Sequence, residues 1–182
     1  MAIEVKSKER FPHVWIANYI ADALELEGAM KKTVEVASNG KRFSIPSMTS
    51  ETITPETATA PVMGRDNDYI IYGLERDDRV DLPYKKHRVM SLYVYTNKQA
   101  AGMKIVDTLT EYFGDSDAVC RDLNLYQTEN GGDGKYKYLS FEYKLLNGPE
   151  QLNLGTEGGL YQAIILIAYS YSYPMDSTGI SL

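Results

Sequence analysis

The sequence predicts an α+β fold: a mixed, mainly antiparallel sheet with helices packed on one face, plus a β-hairpin and an extended arm. Three observations carry that reading. Two segments place apolar residues at spacings of three and four, four runs are strand-like, and an Asn-Gly pair joins two further alternating runs. Strands grouped around one main packing helix fit this class better than regular alternation of strand and helix. At 182 residues the chain amounts to about 1.2 domains of ordinary size. Residues 1–182 are therefore read as a single domain, with hairpin 32–45 and arm 46–66 as its appendage.

The first helix is expected from Phe11 to Glu27, where Trp15, Ile16, Tyr19, Ile20, Ala23 and Leu24 make one apolar stripe. Pro12 suits its first turn and Gly28 its end. Lys32 to Val36 and Lys41 to Ile45 alternate around Asn39 and Gly40, a hairpin signal. Residues 46–66 hold three prolines and five threonines without periodicity, and such a connection is either a solvated loop or an arm able to reach a neighbouring subunit. Tyr69 to Leu74 reads as a strand, Glu75 to Asp81 as a charged turn, and Val89 to Tyr95 as an alternating strand.

Thr96, with Gln99 three positions later, is expected to cap a second helix whose stripe is Gly102, Ile105, Val106, Leu109, Tyr112 and Phe113, with Gly114 at its end. Ser116 is expected to cap a shorter helix reaching about Leu125. Lys135 to Leu146 alternates, with Leu139, Phe141, Tyr143 and Leu145 on one side and Tyr136 and Tyr138 on the other. After a Gly-, Asn- and Pro-containing connection, Leu160 to Tyr173 forms a last strand that is apolar on both sides over Ala163 to Ile167. Tyr169, Tyr171 and Tyr173 share one face of its second half. A strand this long either bends or carries its end out of the core to a partner.

Composition narrows the function. The chain holds 19 basic and 25 acidic residues, a net charge of −6, which argues against phosphate-neutralising nucleic-acid binding as the main role. Cys120 is the single cysteine, so no internal disulfide forms and an intracellular protein is expected. The longest apolar run, Ala163 to Tyr169, is far shorter than a membrane helix, and the charged N-terminal stretch lacks a signal-peptide pattern. Tyrosine supplies 15 aromatic residues against four phenylalanines and one tryptophan, a bias suited to half-buried sheet faces and interfaces.

No constellation marks an enzyme, and no cofactor or metal is expected. His13 and His87 lie in no nucleophile-elbow motif, and Cys120 sits on an apolar helical stripe. Two histidines and one cysteine cannot complete a zinc site. Glu129 to Gly134 lacks the alternating acids of a calcium loop, and neither glycine pair, 131/132 or 158/159, opens a phosphate loop. The candidate interface residues are the acidic group Asp77, Asp78 and Asp81, the basic group Lys85, Lys86 and Arg88, and Tyr169, Tyr171 and Tyr173. Between identical subunits, opposed patches of this kind set orientation. An alternative reading makes the chain a small-ligand-binding or enzymatic domain with Tyr136, Tyr138, Tyr169 and Tyr171 lining a pocket.

Residues 68–173 carry a resemblance. The stretch DLPYKKHRVMSLYVYTNKQAAGMKIVDTLTEYF, then a short acidic helix and two long strands ending LYQAIILIAYSYSYP, resembles the tail-terminator (tail completion, neck) proteins of long-tailed bacteriophages. Arg88 to Tyr95, Lys98 to Phe113 and Tyr161 to Tyr173 carry the likeness. The resemblance implies a structural virion protein made in the host cytoplasm and located in the tail or neck. It further implies a ring, typically hexameric, that caps the tail-tube protein and meets the head-tail connector, with no catalytic residues to transfer. A neighbouring neck or tube adaptor shares the same physics.

Overall fold

The computed structural model describes residues 10–38, 40–50, 67–75, 81–152 and 160–173. Three helices and seven strands occupy the described residues: α1 (Pro12–Leu26), β1 (Thr33–Ser38), β2 (Lys41–Pro46), β3 (Met48–Ser50), β4 (Tyr69–Glu75), β5 (Lys85–Thr96), α2 (Gln99–Phe113), α3 (Ser116–Glu129), β6 (Lys137–Leu152) and β7 (Leu160–Ser172). A five-stranded sheet runs in the order β3-β4-β5-β7-β6, and β1-β2 form a separate hairpin. Only β3 and β4 are parallel; every other pairing is antiparallel. This is the predicted α+β class.

The expected stripe of α1 is buried, with Trp15, Ile16, Ile20 and Leu24 each at most 1% exposed. Each such side chain contributes about 1.5–3 kcal/mol relative to exposure. Phe11 occupies the N-cap without a capping side chain, and Pro12 follows in the first turn. At the other end the Gly28 amide donates to the Glu25 carbonyl and the Ala29 amide to that of Leu24. That pair of bonds needs a left-handed residue at Gly28, whose φ is +59°.

Against α1 and α2 lie Ile70, Met90, Leu92, Val94, Ala163, Ile165, Ile167 and Tyr169, all buried in one core cluster with the helical stripes. Alternation sends their neighbours Ile71, Val89, Tyr93, Ile164 and Leu166 to the opposite face, where they are half-buried. β5 and β7 pair without interruption from Lys85↔Ser172 to Thr96↔Tyr161.

Several local expectations are corrected. Thr96 does not cap α2: its N-cap is Lys98, which makes no side-chain cap bond, and the Thr96 hydroxyl donates to the Lys98 carbonyl at 2.9 Å. Asp115, not Ser116, caps α3, its carboxylate accepting from the Asp117 and Ala118 amides at 3.0 and 3.1 Å. Ser116 Oγ instead accepts from the Phe141 amide, and α3 runs on to Glu129. The arm begins later than expected, because Met48–Ser50 pair with Ile70–Tyr72 and Ser47 is fully buried, donating through Oγ to the Lys31 and Lys32 carbonyls. Residues 51–66 lie outside the described residues. Lys85 to Arg88 belong to β5, which starts four residues before the expected Val89. Asn147 to Leu152, read as part of a connection, continue β6.

The largest correction is on β6. Its register against β7 jumps from Tyr138↔Tyr171 to Ser140↔Ser170, which leaves Leu139 as an extra residue. A bulge of this kind reverses the phase of everything beyond it. Tyr138 and Phe141 are therefore both buried, at 2% and 4%, while Leu139 is 42% exposed. The expected partition, with Leu139 alongside Phe141 and Tyr138 opposite, fails for that reason.

Candidate functional site

Asp81 and the start of β5 build the charged part of the site. The His87 amide donates to Asp81 Oδ1 at 3.0 Å, Arg88 Nη1 reaches both carboxylate oxygens at 3.2 and 3.1 Å, and Lys86 Nζ lies 3.4 Å from Oδ2. Partial burial opposes ionisation of Asp81. The His87 amide, Arg88 and Lys86 outweigh it and hold the carboxyl below its usual range. Two cations thus share one carboxylate. Asp81, expected to face a basic patch on another subunit, is engaged by Lys86 and Arg88 of its own chain. Asp77 and Asp78 lie outside the described residues, and Lys85 is half-buried at the first position of β5.

Pairing then sets the tyrosines beside these cations. Arg88 lies opposite Tyr169 and Lys86 opposite Tyr171, and alternation puts all four on the helix-facing side of the sheet, beyond Met90 and Ile167. The Tyr169 and Tyr171 rings stack at 6.1 Å. Tyr136 meets Tyr171 edge-on at 5.5 Å, and Tyr138 tilts against Tyr169 at 6.2 Å. Lys86 Nζ sits 5.8 Å from the Tyr173 ring. Tyr169 is corrected as a surface contact: at 1% exposure it is part of the core floor. Tyr171 and Tyr173 are half-buried.

The N-terminus of α1 closes this end. Tyr138 donates its hydroxyl to the Pro12 carbonyl, which fixes the first turn of the helix over the sheet. His13 stacks on Phe11 at 5.9 Å and tilts towards Tyr72, and burial lowers its pKa. Between helix and sheet remains a cavity of about 280 Å³ lined by Phe11, Pro12, His13, Leu74, Arg88, Tyr169 and Tyr171. Of the four tyrosines proposed as a pocket lining, Tyr169 and Tyr171 line it. Tyr138 and Tyr136 pack behind them. Phe11, Pro12, His13 and Leu74 were missed, because a helix start and a sheet end have no shared sequence signal.

A larger depression of about 430 Å³ lies between the end of α1 and the hairpin, bordered by Glu25, Gly28, Met30, Lys31, Val34 and Asp68 among others. On the sheet face opposite the helices, Tyr69 and Tyr95 stack at 4.9 Å, and Gln162 donates to the Tyr95 hydroxyl at 2.8 Å. Tyr93, Ile71, Ile164 and Leu166 continue that surface.

Cys120 is buried on α3, and burial, aided by Asp117, pushes its thiol up. Among the described residues no group of three or more His, Cys, Asp or Glu could hold a metal ion. Nor is any described helix long and apolar enough to cross a membrane. No protein-family model matches the chain, and no curated protein matches it either.

Proposed function

We propose that this chain is a structural subunit of a phage tail, a terminator that forms a homo-oligomeric ring, caps the tail tube and joins it to the head connector. The observation that carries this reading is the two-faced sheet. Helices cover one face, while the other presents the half-buried Tyr93, Tyr95, Ile71, Ile164 and Leu166 with no described helix over it. Tyrosine on such a face gives contact area at low rotamer cost. The hairpin adds a second contact element, with Phe43 half exposed on β2. A ring works by heterologous contacts, so the surface that receives a neighbour need not match the one that is offered.

Negative-stain imaging and light scattering of the purified protein test the proposal. Rings or ring-sized particles at tens of micromolar, converted to monomers by Tyr93→Lys and Leu166→Lys but not by Lys144→Glu, are expected. A strictly monomeric protein that also fails to sediment with tail tubes or connectors overturns it.

A further inference from the structure

We propose that the cavity beneath the N-terminus of α1 is a binding site for a carboxylate, held by Arg88 and Tyr169. Among the described residues the Arg88 guanidinium hydrogen-bonds only through Nη1, to both oxygens of Asp81 and to the His87 carbonyl. Its Nε and Nη2 have no partner among the described residues. Those two nitrogens form the edge that grips a carboxylate with two parallel bonds. Arg88 nevertheless lines the cavity and keeps 34% of its side-chain surface.

Tyr169 supplies the independent observation. Its ring is 1% exposed, it lines the same cavity, and its hydroxyl has no hydrogen-bond partner among the described residues. Among the described residues the sealed side-chain atoms without a partner are Asn18 Nδ2, His87 Nδ1, Ser91 Oγ and Gln127 Oε1, and the Tyr169 hydroxyl is not one of them; it keeps access to solvent and is free to donate to a ligand in the cavity. Burial also holds Tyr169 well above the ordinary tyrosine range against the opposing pull of Arg88, so it stays a donor at neutral pH. Among the described residues Lys86 and Arg88 share the one carboxylate of Asp81. The first turn of α1 adds a further donor: Val14 and Trp15 donate to the Phe11 carbonyl, and the His13 amide has no described partner.

The walls decide the size and body of the ligand. Phe11, Pro12, Leu74 and the Tyr171 ring are apolar or aromatic, and about 280 Å³ is just below the usual range for drug-sized pockets. A carboxylate on a small apolar body fits, whether a free acid of benzoate size or the acidic side chain of a bound protein. The site stands apart from the ring proposal, because a monomer has all of its residues.

The experiment is a calorimetric and NMR titration of the full chain with benzoate, with benzamide as the uncharged isostere, and with the blocked peptide acetyl-Gly-Glu-Gly-amide. Expected is saturable benzoate binding at millimolar concentration or tighter, at least about tenfold weaker for benzamide and for Arg88→Met, and about threefold weaker for Tyr169→Phe. Tyr169→Phe keeps the parental melting temperature, since the hydroxyl it removes has no described partner, so it reports on binding when Arg88→Met loosens the Asp81 cluster. Binding of the peptide at least as tight as benzoate assigns the site to a protein side chain; binding of benzoate alone assigns it to a free acid. Equal affinity for benzamide, unaltered benzoate affinity in both variants, or no saturable binding of either carboxylate overturns the proposal.

Discussion

Replacing Gly102 by alanine should destabilise this protein, the reverse of what the same change does in an unencumbered helix. Alanine in a helix interior gains about 1 kcal/mol over glycine. Gly102 lies in the second turn of α2 and is buried against β6. A Cβ there would stand 2.9 Å from Pro149 Cβ, 3.0 Å from Pro149 Cγ and 3.0 Å from the Thr96 hydroxyl. None of these groups yields easily. Pro149 is a rigid, buried ring on an otherwise exposed part of β6, its carbonyl held by Gln99, and Thr96 is bound to Lys98. Overpacking of one methyl in a tight core costs about 1–3 kcal/mol. With the cost at the upper end, the net loss is about 2 kcal/mol. For a chain of this length that lowers the melting temperature by about 4–8 °C. The assay is urea unfolding and calorimetry of Gly102→Ala in the parent and in a Pro149→Gly background, where most of the clash is gone and the two changes should not add. A stabilised Gly102→Ala, or a loss unchanged by Pro149→Gly, would refute the packing of α2 on the far end of β6.

Two further outcomes follow from the corrected cap and the tyrosine-rich faces. Asp115→Ala should cost about 1 kcal/mol, because its carboxylate caps α3; a loss at Ser116→Ala with none at Asp115→Ala in chemical denaturation would reinstate the cap expected from sequence. At high pH, Tyr69 is the tyrosine to follow: burial first, and Tyr95 second, push it up to about 12 from 10. Above pH 10 the unfolded chain gives up this proton while the folded chain keeps it, so stability falls as pH rises. At pH 11 the loss from Tyr69 is about 1 kcal/mol. Urea midpoints that stay flat between pH 9 and 11, or tyrosinate absorbance that develops fully by pH 11 in the folded protein, would contradict that burial.

How far the sequence carried differs by element, and the reason is the range of the determining interaction. Both long helices and the hairpin rest on local periodicity and on turn residues such as Gly28 and Gly40, so they emerge from a single segment read alone. β3 does not. Its three residues sit in a threonine- and proline-rich stretch and become a strand only because Ile70–Tyr72 offer a parallel edge. Lys85 to Arg88 look like a solvated basic loop until Ser172 to Tyr169 are placed beside them, across more than 80 positions of sequence. The cap at Asp115 was misplaced by one residue because Ser116 is an equally good capping type, and only the Phe141 amide, which needs the Ser116 hydroxyl, separates them.

The bulge at Leu139 links these local failures to the site. Without the extra residue, strict alternation would put Tyr138 on the outer face whenever Phe141 faces the core, and its hydroxyl would leave the Pro12 carbonyl. The first turn of α1 would lose the bond that anchors it over β6 and β7, and with it the wall that encloses Arg88 and Tyr169. One inserted residue therefore decides whether a tyrosine-rich sheet end is a flat surface or a walled, solvent-open cavity. Composition and period-two patterning do not register such an insertion, since Tyr138, Leu139 and Ser140 are each acceptable on either face. That is why Tyr169 reads from sequence as a surface ring when it is part of the floor of a cavity.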